Sequence, residues 1–186
     1  MPVIGPVRGS YVNLVTPKAD RSGVLKYSMS CMIPKTDKAL LKQFDSLVQA
    51  AIIAGIEGGK FPKAKVPVLS LPLHDGSADA KSGKRGQEYD GMMYFSASCK
   101  ADGGQPGLLG PDRQPIVNMD EIYSGAWYYV HVNVYAYNNV NIGIAVWLNH
   151  AMKAKDDERL DGQVSAERAF EDIPIENIEG DSGELM

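Results

Sequence analysis

The sequence predicts a mainly β fold: a five-stranded Greek-key barrel with one main α-helix, long loops and a disordered acidic C-terminal tail. Three observations carry that expectation. Apolar and polar residues alternate with a period of two in several separate runs. Only one run has helical spacing, and the strand–helix–strand rhythm of a parallel sheet is missing. The 186 residues divide into an ordered domain, 1–155, and a tail, 156–186, in which both patterns fade.

Each element has its own signal. Residues 9–16 (GSYVNLVT) form a short strand with Tyr11 and Asn13 on one face. In 24–33, Leu25, Tyr27, Met29, Cys31 and Ile33 alternate with Lys26, Ser28, Ser30 and Met32, which is a half-buried strand. Thr36 is placed to cap a helix over 37–54, where Leu40, Leu41, Phe44, Leu47, Val48, Ala51 and Ile52 make one apolar stripe. Residues 60–90, rich in Lys, Gly and Pro, read as a long mobile basic loop. A strand resumes over 91–100, a short one is expected at 115–117, and a helical turn at 119–123. Two long strands, 125–137 and 142–154, flank a tight turn and fit a curling antiparallel pair. This inventory is that of an oligonucleotide/oligosaccharide-binding (OB) barrel.

At 44% hydrophobic and 23% charged, the chain has enough apolar residues for a core. The longest uncharged apolar run, near 46–56, is too short to cross a bilayer, so no membrane association is expected. The start, MPVIGPVRGS, lacks the charged and apolar regions of a secretory signal. Cys31 and Cys99 read as two reduced, buried thiols, and the expected location is cytoplasmic. Charge is divided unevenly: residues 156–186 carry −9 and residues 1–155 carry +5. A basic body with an acidic tail points toward a polyanion partner or toward a solubilising tail.

Catalytic chemistry is not legible. His74, His131 and His150 lack ligand-spaced partners, and GKRGQ lacks the spacing of a phosphate-cradling P-loop. Asp75, Asp79 and Asp90 lie in the loop-like region, where solvated carboxylates are a better reading than a magnesium site. A non-enzymatic protein without metal or cofactor is expected.

The stretch GAWYYVHVNVYAY (125–137) holds two surfaces. Tyr128, Val130, Val132, Val134 and Ala136 make an ordinary core face, while Trp127, Tyr129, His131, Asn133, Tyr135 and Tyr137 make an aromatic and polar one. Exposed rings beside cations are what single-stranded nucleic acid requires, because every base has a face to stack and every linkage a charge. The expected stacking residues are Tyr11, Tyr94, Trp127, Tyr129, Tyr135 and Tyr137; Asn133 is suited to polar contacts, and Lys26, Lys81, Lys84, Arg85 and Lys100 to phosphates. Trp147, in a Gly/Ala-rich run, has packing against a loop or a second subunit as its competing role.

Several segments together resemble a known family: VRGSYVNLVTP, PLHDGSADAK, the Tyr-Asp-Gly before residue 92, IYSGAWYYVHVNVYAY with the following Gly143-Ile144, and DDERLDG. They are similar to the single-stranded DNA-binding proteins of tailed bacteriophages, long described as a domain of unknown function. The resemblance spans about residues 4–165. It implies an OB fold and sequence-independent binding of single-stranded DNA in phage replication and recombination, in the cytoplasm of the infected host. It also implies a tail that competes with DNA for the basic groove and recruits phage replication proteins. Glu171-Asp172-Ile173-Pro174-Ile175 is similar to the Asp-Asp-Ile-Pro-Phe tip of bacterial relatives, but it is internal and ends in Ile175. The rival readings are a phage structural or assembly protein whose aromatic face is a subunit interface, and a module for RNA or duplex. Oligomeric state is left open.

Overall fold

The computed structural model describes residues 1–162 and Phe170, so the expected disorder of the tail beyond 162 lies outside the described residues. Among the described residues, seven strands form one sheet: β1 (Val3–Ala19), β2 (Leu25–Pro34), β3 (His74–Asp75), β4 (Met92–Lys100), β5 (Gly107–Leu109), β6 (Trp127–Asn138) and β7 (Ile142–Lys155). Their order is β3-β4-β2-β1-β6-β7-β5, and a parallel contact between Ser98 and Trp147 joins β4 to β7. The ring β1-β2-β4-β7-β6 is therefore closed, as the OB expectation requires. Closure leaves the short strands β3 and β5, rather than the long ones, at the free edges.

β1 is twice as long as its alternation suggests, and its pairing with β2 is interrupted after Ser10 and after Asn13. These irregularities let one strand coil far enough to serve both β2 and β6. Tyr11, at φ 46°, sits in the first of them. Inward residues of five strands meet in one core that includes Ile4, Val7, Met29, Cys31, Ile33, Phe95, Ala97, Val130, Val132, Val146 and Leu148. Both cysteines are free and buried; burial pushes each thiol upward, out of the reactive range.

The helix α1 (Lys38–Glu57) closes the barrel on one side. Asp37, not Thr36, caps it by accepting from the Leu40 amide at 3.1 Å. Its apolar stripe (Leu40, Phe44, Val48, Ala51, Ile52) is buried, and Phe44 stacks on Phe95 with ring centroids 4.2 Å apart. By length and composition alone the helix could cross a bilayer, but its stripe is spent on the barrel core. Gly55 makes the close approach possible: an added Cβ would lie 2.6 Å from the Ala136 Cβ.

Two local expectations are corrected, a loop at 60–90 and a strand at 115–117. Residues 60–90 contain a 3₁₀ helix at Lys63–Val68, β3, the short helix α2 (Gly76–Lys81) and a 3₁₀ turn at Gln87–Tyr89. Asp75 caps α2 through the Ser77 and Ala78 amides and pairs with Lys35 at 2.7 Å, so the segment is fastened to the barrel. At 115–117 only an isolated bridge from Leu109 to Pro115 forms; the strand there is β5, earlier in the chain.

Candidate nucleic-acid interface

In an antiparallel pair, directly opposed residues project to the same side. Lys18 opposes Lys26, and Lys26 opposes Lys100. Three lysines thus stand side by side on the outer surface of β1, β2 and β4. Like charges in this arrangement repel. Asp20 relieves part of the strain by pairing with Lys26 at 2.8 Å, a contact that holds the Asp20 carboxyl well below its ordinary range. Next along the same face, Ser28 opposes Ser98 and Ser30 opposes Ser96, with Ser10 beside Ser30. The side chains are small, so this floor is low; each hydroxyl can donate or accept. Trp147 meets the floor at Ser98 and is 37% exposed.

The face ends at a wall. Met32 opposes Tyr94, and with Ala80 and Tyr89 they form a second buried cluster against which Met92 and Leu160 pack. Tyr94 is only 2% exposed, and its hydroxyl donates to Asp79. The expectation of an open stacking ring at Tyr94 is corrected: α2 covers it. That hydrogen bond and the nearby Lys84, 3.7 Å away, lower the Asp79 pKa. Arg85 points its guanidinium at the rings of Tyr11, Tyr89 and Tyr94, at 5.1, 5.5 and 5.1 Å from their centroids. Tyr11 itself is 54% exposed, and Lys81 is exposed at the end of α2.

β6 keeps its alternation over its whole length. Tyr128, Val130 and Val132 point into the core, while Trp127, Tyr129, His131, Asn133, Tyr135 and Tyr137 point outward. Tyr128 is tolerated inside because its hydroxyl donates to the Tyr123 carbonyl and accepts from the Tyr123 amide, at 2.8 and 3.0 Å. The bulges fall on β7 instead: register shifts occur opposite Trp127/Tyr128 and opposite His131/Val132. The shift at His131/Val132 exchanges the faces of β7, so Ala151 turns into the core and Met152 lies outside beside Tyr129, where strict alternation from Leu148 would put Met152 inside.

The predicted residues therefore do not share one surface. β6 is separated from β2 by β1 and from β4 by β7, which places its outer face on another side of the barrel. Asn133 and Tyr135 lie nearest the lysine–serine face, because Asn133 opposes Trp147 and Tyr135 opposes Ala145. Tyr137 opposes Gly143, whose other neighbour is Ser70, and is half-buried there. At the other end, Tyr129 lines an open cleft of about 330 Å³ with Pro6, Pro111, Met152 and Lys155.

Trp127 is engaged by the chain after β7. Its Nε1 donates to Asp157 at 2.7 Å, with Lys155 5.0 Å from its ring centroid. Residues 156–160 form a strap. Asp156 accepts from the Tyr123 hydroxyl at 2.7 Å and pairs with Lys153 at 2.6 Å. Arg8 donates to the Glu158 carbonyl at 3.0 Å, and the Leu160 amide donates to Ser124 at 2.8 Å. Gly125, at φ 114°, leaves room for the strap: a Cβ there would lie 2.0 Å from the Glu158 carbonyl oxygen. Burial, then the Asp156 hydrogen bond, pushes the Tyr123 phenol up to about 12. The strap ends with Leu160 against the Tyr89–Tyr94 cluster, at the wall of the lysine–serine face.

Sequence reasoning missed Lys18, the serine floor and Tyr89. The signal for the floor was present in the matching runs of serines at alternate positions of β2 and β4, but only the register brings them together.

Among the solved structures that this barrel resembles are phage proteins. The single-stranded DNA-binding protein from bacteriophage Enc34 matches at TM-score 0.61 and 26% identity, over 90% of this chain and 88% of that one. The same protein in complex with single-stranded DNA matches at TM-score 0.64 and 25% identity, over 85% and 88%. The fold is also that of gp2.5, a single-stranded DNA-binding protein encoded by bacteriophage T7, at TM-score 0.62, 14% identity and coverage of 88% and 96%. No curated protein matches the chain. The family described as the single-stranded DNA-binding protein of Enterobacter phage Enc34 matches residues 2–182, and its members bind DNA rather than catalyse a reaction. This chain belongs to that family.

Proposed function

We propose that the chain binds single-stranded DNA without regard to sequence, across the outer face of β1, β2, β4 and β7, during phage DNA replication and recombination in the cytoplasm of the host. The observation that carries this reading is the row Lys18, Lys26 and Lys100, set side by side against electrostatic cost and leading onto a serine floor. Phosphates lie along the lysines and on Arg85, Lys84 and Lys81 at the wall. Bases stack on Trp147, Tyr11 and Tyr135, and Asn133 makes a polar contact. From the lysine row to the Met32–Tyr94 wall is six residues, about 20 Å along the strands. Trp127 serves the strap, and Tyr94 supports Arg85 and Asp79.

The acidic tail completes the reading. Residues 163–186 carry a net charge of −6, and the strap delivers them to the wall of the basic face. A tail tethered there competes with DNA for the lysines and, once displaced, is free to engage replication proteins. Titration with oligo-dT tests DNA binding: tryptophan emission should fall on addition at low salt, and affinity should drop steeply as salt rises. Contacts to about four to six phosphates give a log–log slope of roughly −3 to −4. An unchanged emission spectrum together with salt-independent association would overturn the proposal.

A further inference from the structure

Arg85 is a cation without an anion. No carboxylate of the described residues lies within salt-bridge distance of it; three tyrosine rings surround its guanidinium instead, the Tyr94 and Tyr11 hydroxyls lie beside it, and its Nε is buried without a hydrogen-bond partner. Behind it, the fully buried Tyr89 carries a second unmet group: its hydroxyl lies beside the Ser10 and Ser30 hydroxyls without making a well-formed hydrogen bond to either. Buried polar atoms without partners are uncommon, because each costs stability. Two of them on residues in ring contact, with the guanidinium 5.5 Å from the Tyr89 ring centroid at the junction of the wall and the serine floor, mark a place shaped for a missing acceptor.

Tyr11 covers this place. Its φ of 46° is a left-handed conformation that a bulky residue adopts only under constraint. Its ring packs over Arg85 on one side and is open on the other. The remaining titratable groups near the guanidinium are Lys84, Asp79 and His74; burial lowers the His74 pKa and favours its neutral form, and Asp79 is already occupied by the Tyr94 hydroxyl and by Lys84. The surroundings therefore favour an incoming anion.

We propose that Arg85, Tyr89, Ser10 and Ser30 form a pocket for one phosphodiester of the bound strand, closed by Tyr11 in the free protein. The planar guanidinium fork matches two phosphate oxygens, and the hydroxyls reach the remaining acceptors. Tyr11, turned aside, stacks on the base next to that phosphate. The inference rests on the DNA-binding reading and names four residues that hold a single linkage.

Tyr89→Phe in the full chain is the first test, because it removes one hydroxyl and keeps the ring. The pocket predicts that affinity for a short oligo-dT falls by about tenfold, the worth of one hydrogen bond to a charged group, while the melting temperature stays the same or rises. Wild-type affinity, or a lowered melting temperature, overturns it. The second test compares wild type with Arg85→Lys on a series of oligonucleotides, each with one methylphosphonate linkage. Wild type should be most sensitive at one position, and Arg85→Lys, which keeps the charge but not the fork, should lose that position-specific loss. The same profile for both proteins overturns the pocket. A wild-type protein that fails to bind oligo-dT at all overturns the DNA-binding reading itself.

Discussion

The two tryptophans divide the molecule's aromatic residues by role. Trp127 has its nitrogen bonded to Asp157 and a lysine at its ring, whereas Trp147 borders the serine floor and is partly exposed there. Stacking on a base is worth roughly 1–3 kcal/mol and also quenches indole emission. Trp147→Phe should therefore abolish most of the quenching by oligo-dT, and Trp147→Ala should weaken binding by about 1–3 kcal/mol. Trp127→Phe should leave the quenching in place. The reverse assignment, with quenching lost only in Trp127→Phe, would place the strand on the outer face of β6. From sequence the two could not be ranked in this order. Alternation shows which residues share a face of one strand, and it held along all of β6. It cannot show which strands lie beside each other round a closed barrel, and that neighbour relation decides which aromatic residues meet a basic surface.

Among the elements, the strap carries the most weight in the proposed function and left little trace in the sequence. DDERLDG reads as the first part of an acidic tail, yet Asp156 and Asp157 are bound by Tyr123, Lys153, Trp127 and Arg8. Long-range partners of this kind follow from the fold and not from local pattern. The strap moves the root of the tail from the end of β7 to the wall of the basic face, and the tail's effective concentration at the lysines depends on that position. Gly125→Ala would place a Cβ 2.0 Å from the Glu158 oxygen and displace the strap. In the full chain, affinity for DNA should then rise by about two- to fivefold at low salt, as competition weakens. In a chain ending at residue 162 the same substitution should change affinity little. An equal effect in both chains would mean that Gly125 acts through the barrel and not through the tail. Acid should release the strap as well. The Asp156 pKa is lowered chiefly by its bond to Lys153 and that of Asp157 by its bond to Trp127. Carboxyls with lowered pKa hold their contacts above the ordinary carboxylate range and lose them as pH falls through their own values. Strap contacts should be complete at neutral pH and lost only in strong acid.

At the scale of the whole molecule, the formal net charge of −4 conceals a basic domain and an acidic extension, and the proposed tail competition rests on that division. The five-stranded barrel, its helix and the charge division were legible, because each rests on periodicity or composition. The ordered wall at 74–90 was not, because its Gly, Lys and Ser content is that of a loop and its order comes from Asp75 capping α2 and from the Tyr89–Tyr94 packing. Removing residues 163–186 takes away a charge of −6, which in the proposed competition contends with DNA for the lysines. Affinity should rise by roughly tenfold at about 50 mM salt, where the Debye length exceeds 10 Å, and the gain should fade toward about 0.5 M as screening shortens the tail's reach. Both chains should keep the same melting temperature, since the described fold ends at residue 162. A gain that persists at high salt would point to steric obstruction by the tail. No gain at any salt would leave the lysine row without an internal competitor and the tail with partner recruitment as its sole role.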